Sequence, residues 1–122
     1  MANEKQKSLI AHAKELAKKA DKLLSDATDK KKNPVAVLAE ARNWEKQWLK
    51  MLKDSLIEKV LDQDEYDTMA LLMGVVSAKI TAKEKKSWKE ETSVLNGMEA
   101  MVFHGFLSIT NAAIADKEKS FS

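Results

Sequence analysis

The sequence contains no cysteine, only one proline and three glycines, and a single arginine among its 122 residues. Without cysteine the chain has no disulfide, no Cys-ligated zinc site and no thiol nucleophile. The scarcity of proline and glycine, beside abundant Ala, Leu, Lys and Glu, is typical of helical proteins. No stretch alternates β-branched and polar residues as a half-buried strand does. The sequence therefore predicts an all-α fold.

The overall composition indicates one folded domain. Apolar residues make up 44% of the chain and charged residues 33%, which excludes a disordered protein. A chain of this length suits one domain better than two, so we expect a single helical domain over residues 1–122 with a frayed tail at 117–122. The net charge of +2 is too small to predict a polyanionic partner by itself.

Polar interruptions divide the chain into four helical segments. Asn33 and Pro34 suit the cap and first position of a helix. The acids from Asp62 to Glu65 suit a helix start, and Thr81 with Glu84 forms a capping-box pattern. We therefore expect an antiparallel four-helix bundle, with helices over residues 4–31, 34–61, 64–80 and 81–116.

The last segment contains a long uncharged stretch, VLNGMEAMVFHGFLSITNAAIA, at residues 94–115. Its length would suit a membrane span, but Asn96, Glu99 and several other polar residues are costly in lipid, so no membrane partner is expected. Asn96 and Gly97 form a turn signal, which makes a helix kinked or split at this dipeptide the alternative to a continuous one. Helical phase is kept across this dipeptide, which favours one long helix. The stripe expected to face the core comprises Leu95, Met98, Val102, Phe106, Ile109 and Ala113.

The sequence shows no catalytic constellation, metal site or cofactor site. It has no glycine-rich phosphate loop and no recognisable nucleophile motif, so we expect a protein that is not an enzyme. The two histidines lie on different predicted helices, and no Glu-x-x-His pair is present. His104 as a lone haem ligand is the remaining alternative, which an absorbance spectrum decides.

Surplus apolar surface favours a protein-binding function. The third helix is apolar nearly all round and is expected to be buried on several sides. The partner-contact residues expected from the sequence are Trp44, Trp88, Phe103 and Leu107. For Trp44, a place in the core is an equally weighted alternative. The expected partner is another protein, a second copy in a homodimer or other homo-oligomer, or both. By analogy of size and class, small inhibitors, immunity proteins and phage-encoded host-interaction proteins look like this.

Lysine-rich segments give the alternative function, that of a nucleic-acid-associated accessory protein. Such lysines supply phosphate contacts without reading bases, and the candidates are Lys18, Lys22, Lys30, Lys31 and Lys32. Acidic residues interleave with them, and the single arginine, Arg42, argues against base recognition. The lack of cysteine and of an apolar run behind the basic N-terminus leads us to expect a cytoplasmic location.

Overall fold

A computed structural model describes residues 2–88 and 92–122. Within these ranges the chain forms four α-helices and no strand: α1 Glu4–Ala27, α2 Pro34–Ile57, α3 Gln63–Glu84 and α4 Gly97–Ser120. The predicted all-α four-helix class is confirmed. Each helix begins at an Asn or Asp cap whose side chain accepts a backbone N–H of the first turn. The caps are Asn3, Asn33, Asp62 and Asn96.

The first two helices end four residues earlier than predicted. Helix α1 stops at Ala27, where the Thr28 hydroxyl donates to the Ser25 carbonyl. Helix α2 stops at Ile57, because Lys59 adopts the left-handed conformation, with φ of 62°, that ends many helices. Such ends depend on local hydrogen bonds that the apolar period alone does not reveal.

The boundary between the third and fourth helices was predicted wrongly. Helix α3 continues through Thr81 to Glu84, so Thr81 is not a cap, and its hydroxyl accepts from the Arg42 guanidinium at 3.0 Å. Helix α4 starts anew at Gly97, with Asn96 extended at ψ of 176°. The single long helix over 81–116 is therefore wrong, and twelve residues, 85–96, separate the two helices. Residues 117–120, expected in a frayed tail, are helical.

Around the antiparallel bundle the helices follow in the order α4, α1, α2, α3, and ion pairs join α3 back to α4. Helix α1 packs against both α2 and α4, and α2 packs against α3. The Leu95 amide donates to the Ala27 carbonyl at 2.8 Å and joins the start of α4 to the end of α1. Between α3 and α4 no pair of Cα atoms lies within 8 Å, although both helices are fully described. The α3 and α4 backbones are therefore farther apart than those of the helix pairs that pack together.

A large part of the core lies between α1 and α2. Leu16 and Trp48 are almost completely buried there. Trp44 stacks on Trp48 with ring centroids 5.5 Å apart, and its indole N–H donates to the Leu16 carbonyl at 2.8 Å. Alanines along α1 allow the α2 backbone close to it. These contacts hold α1 and α2 together, and the other two helices pack against this pair.

Candidate interaction surface on α3 and α4

Capping boxes fix where α3 and α4 begin. The Glu65 amide donates to the Asp62 carboxylate at 2.8 Å, and the Asp62 amide donates back to Glu65 at 3.0 Å. Asn96 and Glu99 make the same reciprocal pair at 2.9 and 3.1 Å. Each box satisfies two backbone donors that a helix N-terminus otherwise leaves free. It also orients an acidic side chain, Glu65 or Glu99, beside the neighbouring helix.

Those two acids join α3 to α4 by ion pairs at opposite ends of the bundle. Lys117 of α4 reaches Glu65 at 2.8 Å, and the ammonium group of Lys117 lowers the pKa of that carboxyl, helped by the Asp62 amide. At the other end, Glu99 of α4 contacts both Lys79 and Lys83 of α3. Burial alone would raise the pKa of Glu99, but the two lysines and the Asn96 amide together lower it to about 2.

Between these ion pairs the interior is apolar and incompletely filled. A cavity of about 390 Å³ lies towards the Glu65–Lys117 end, and one of about 100 Å³ lies towards the Glu99 end. All four helices line both cavities. Trp48 borders the larger one, and its indole N–H has no hydrogen-bond partner among the described residues. Empty volume weakens packing, because the side chains that line it lack partner atoms on one side.

Large apolar side chains are exposed mainly on these two helices. Of the nine that the described chain exposes, six belong to α3 or α4. Their exposed fractions run from 62 to 80%, and they are Leu71, Val75, Met98, Met101, Val102 and Ile109. The other three, Val35, Leu49 and Ile57, lie on α2. The concentration of the six on two of the four helices makes the outer sides of α3 and α4 a candidate interaction surface.

The same surface carries no formal charge over much of its length. Helix α3 has no charged residue between Asp67 and Lys79, and α4 has none between Glu99 and Asp116. Covering such a surface requires little desolvation of ions, whose burial is costly. We call the exposed side of residues 68–78 on α3 and 98–113 on α4 the α3–α4 face; it includes the six apolar residues named above.

The sequence-based assignment of the two sides of α4 is wrong in part: of the stripe expected inside, Leu95 and Phe106 pack against the core and the others named below do not. Leu107 is buried and Phe103 is half-buried against the core, whereas Met98, Val102 and Ile109 point to solvent. Both stripes are apolar and both follow a spacing of three and four residues, so periodicity could not choose between them. The expectation that α3 is buried on several sides is also wrong, since Leu71 and Val75 are exposed.

The two predicted tryptophan contacts have partners within the chain. Trp44 is buried, which supports its core alternative. Trp88 is half-buried, and its indole N–H donates to the Lys83 carbonyl at 3.2 Å. The ammonium groups of Lys83 and Lys86 lie 5.9 and 5.0 Å from the Trp88 ring centroid, within the range of cation–π contacts. Trp88 thus covers the end of α3.

The missed residues had one usable signal in the sequence. Asn96 followed by Glu99 is a capping-box pattern equivalent to Thr81 with Glu84. This pattern predicts the helix start at Gly97. It does not predict the inward side of α4, which the structure shows to be Ala100, Phe103, Leu107 and Thr110.

The lysines of the alternative function lie on α1 and on the loop after it. All five are exposed, namely Lys18, Lys22, Lys30, Lys31 and Lys32. Lys32 lies 3.9 Å from Asp26, and the other four form no ion pair within residues 2–88 and 92–122. They are available to phosphate groups.

Neither a metal site nor a membrane-spanning helix is found in the described parts of the chain. His104 is exposed on α4, and no three His, Asp or Glu side chains in these parts are grouped to hold a metal ion. None of the described helices combines the length and apolarity needed to cross a bilayer.

The chain matches no protein-family model, and it has no significant match among curated proteins or solved structures.

Proposed function

We propose that this chain is a non-catalytic protein–protein interaction module that binds through the α3–α4 face. The observation that carries the proposal is the concentration of exposed, charge-free apolar surface on two neighbouring helices. A helical monomer needs only one apolar stripe per helix to form its core. Helices α3 and α4 each present a second apolar stripe to solvent, and a bound partner would remove it from water.

The chemistry of this face suits an apolar protein surface. Met98 and Met101 are unbranched and polarizable, so they adapt to the shape of a partner. The charged groups at the two ends of this face are already paired with each other in the ion pairs that join α3 to α4. The partner would therefore be recognised by apolar contact at the centre, with polar contacts at the rim.

A matched pair of substitutions tests this function. Val102 on α4 and Ile57 on α2 are both β-branched and similarly exposed, at 69 and 65%. Wild type, Val102→Glu and Ile57→Glu are each used as bait in cells of the native source, and the captured proteins are identified by mass spectrometry. We expect wild type and Ile57→Glu to capture the same protein and Val102→Glu to lose it, with helicity unchanged by circular dichroism. Equal capture by all three folded baits would contradict the proposal.

Exposed lysines favour nucleic-acid association as the second candidate. Lys18, Lys22, Lys30 and Lys31 are free of ion pairs in the described chain, so they can contact phosphates without first breaking one. A gel shift over increasing salt tests this candidate. Steep weakening with salt, and weaker binding by the Lys30→Gln/Lys31→Gln variant, would support it. Binding that is absent at low salt would contradict it.

A further inference from the structure

Helix α3 carries an exposed stripe that runs its whole length. The stripe has the three- and four-residue spacing of one helical face, and its members are Asp64, Asp67, Thr68, Leu71, Gly74, Val75, Ala78, Thr81, Ala82 and Lys85. Lys85 follows the last helical residue and keeps helical dihedral angles, with φ −80° and ψ −10°. From Asp64 to Lys85 the stripe is about 31 Å long at 1.5 Å per residue. It is therefore long enough to pack against a whole second helix.

The charges along this stripe are complementary to those of a second copy when the two copies lie antiparallel. Asp64 and Asp67 are exposed at its start, Lys85 is exposed at its end, and the other members of the stripe are uncharged; Glu84 is also exposed, but it lies off the stripe and pairs with Arg42. Asp64 and Lys85 form no ion pair within the described chain. Two parallel copies would bring like charges together, whereas two antiparallel copies bring each acid next to a lysine.

Side-chain size is complementary in the same orientation. A twofold axis between Gly74 and Val75 places each residue before the axis opposite the residue of the second copy that lies equally far after the axis. Leu71 then faces Ala78 of the second copy, and Val75 faces Gly74. Asp64 faces Lys85 in the same register. Large residues therefore meet small ones, as interdigitated helix packing requires.

Gly74 lies at the centre of this stripe, where two helices would approach most closely. Its φ is not positive, and a Cβ added to it would meet no atom within 4 Å. Nothing within the monomer therefore needs glycine there, although glycine weakens a helix interior relative to alanine. A closely packed second helix would need it.

We propose that the chain forms a homodimer in which two α3 helices pack antiparallel about a twofold axis beside Gly74. This inference deepens the proposed function and rests on it, since it assigns the α3 part of the α3–α4 face to a second copy. The interface is isologous, because each copy contributes the same stripe. The exposed residues of α4, such as Met101 and Val102, remain outside the helix pair.

Two glycine substitutions provide the first test. Gly105 is the counterpart of Gly74 on α4, since it is exposed and has nothing within 4 Å of an added Cβ. Both Gly74→Leu and Gly105→Leu should fold with full helicity. By analytical ultracentrifugation we expect wild type and Gly105→Leu to be dimers, and Gly74→Leu to dissociate with a dimer Kd raised at least about tenfold.

Introduced cysteines test the register. The natural chain has none, so a disulfide between copies can form only at the introduced site. Val75→Cys, beside the axis, should cross-link to itself on oxidation. Leu71→Cys and Ala78→Cys should cross-link when mixed, and neither should do so alone. A parallel pair would give the opposite result, with each variant cross-linking to itself. Ile57→Cys, on α2, is the matched exposed control and should stay monomeric on a denaturing gel.

A charge swap tests the ends of the stripe. Asp64→Lys and Lys85→Asp should each raise the dimer Kd several-fold, because like charges then face each other. The double variant restores opposite charges and should recover the wild-type Kd. The single effects should shrink at high salt.

Three outcomes would overturn the dimer: a wild type that is monomeric at every soluble concentration, equal dissociation of the two glycine variants, or self-cross-linking of Leu71→Cys. The function proposed above is judged separately, by the capture lost in Val102→Glu. A monomer that still shows this loss retains the function without the dimer.

Discussion

Helices α1 and α2 bury one side and expose the other, whereas α3 and α4 are apolar on both sides and bury little of either. The first pair contributes seven and eight buried residues to the interior, and the second pair contributes only three each. The first pair therefore has the character of a scaffold, and the second has the character of a surface presented by it. Apolar residues that do not pack inside are available for binding.

The largest expected difference in stability between the α1–α2 pair and the α3–α4 pair comes from substituting one leucine in each. Leu16 on α1 is completely buried, and Leu71 on α3 is 74% exposed. Leu16→Ala should lower the free energy of unfolding by about 2–5 kcal/mol, because it leaves a cavity. Leu71→Ala should change the free energy by no more than about 0.5 kcal/mol. Urea unfolding measures both, at a dilution where concentration no longer moves the midpoint. Equal losses would remove the distinction between scaffold and surface.

The ion pairs that hold α3 beside α4 give an effect of intermediate size. Glutamine in place of Glu99 keeps the capping box but loses the charge opposite Lys79 and Lys83. Glu99→Gln should cost about 1.5 kcal/mol at neutral pH, near the lower end for charged hydrogen bonds because Lys79 is partly exposed.

The pH dependence of the stability lost in Glu99→Gln tests the same ion pairs independently. The folded-state pKa of Glu99 is about 2, below the ordinary value of 4.5. The ionised carboxylate therefore stabilises the folded state fully above about pH 4.5, and this stabilisation disappears as the pH falls towards 2. Unfolding curves between neutral pH and pH 2 should therefore converge for wild type and Glu99→Gln. A constant gap across this range would show that the charge is not responsible.

The glycine in the middle of α4 gives a smaller effect of opposite sign. Gly105→Ala adds a methyl group that meets nothing within 4 Å and removes the entropic cost of glycine in a helix. The variant should be more stable by about 0.5–1 kcal/mol, measured as a higher midpoint of thermal unfolding. A loss of stability would mean that α4 has a neighbour at this position.

The smallest expected change in stability comes from the exposed methionines. Met101 is 73% exposed, so Met101→Ala should change the free energy of unfolding by less than about 0.5 kcal/mol. The same substitution should weaken capture of a partner through the α3–α4 face. A variant that unfolds like wild type and still binds fully would place the contact elsewhere on α4.

The sequence predicted the features that depend on neighbouring residues. Asn33 with Pro34, and Asp62 with Glu65, mark helix starts through local hydrogen bonds, and the structure has α2 and α3 starting there. The connection before Asn96 depends on tertiary contacts such as the bond from Leu95 to Ala27. A pattern of spacing contains no information about such contacts.

The candidate surface was harder to predict, because the chain offers more apolar stripes than its core uses. On α4 the stripe through Phe103 and Leu107 and the stripe through Val102 and Ile109 are equally apolar, and only the packing of α1 decides which is inside. The position of Trp44 was hard to predict for a related reason. The Trp44 indole finds the Leu16 carbonyl across the helix interface, which a single helix cannot reveal.

The central position of α1 has a consequence for the order in which the bundle is completed during synthesis. Helix α1 emerges from the ribosome first, and it can pack against α2 as soon as that helix follows. Its other side receives α4, through contacts as distant in sequence as Lys14 with Glu118. That side of α1 stays open to water, or to a chaperone, until the fourth helix has been made. The earliest helix of the four is thus the one whose packing is finished last.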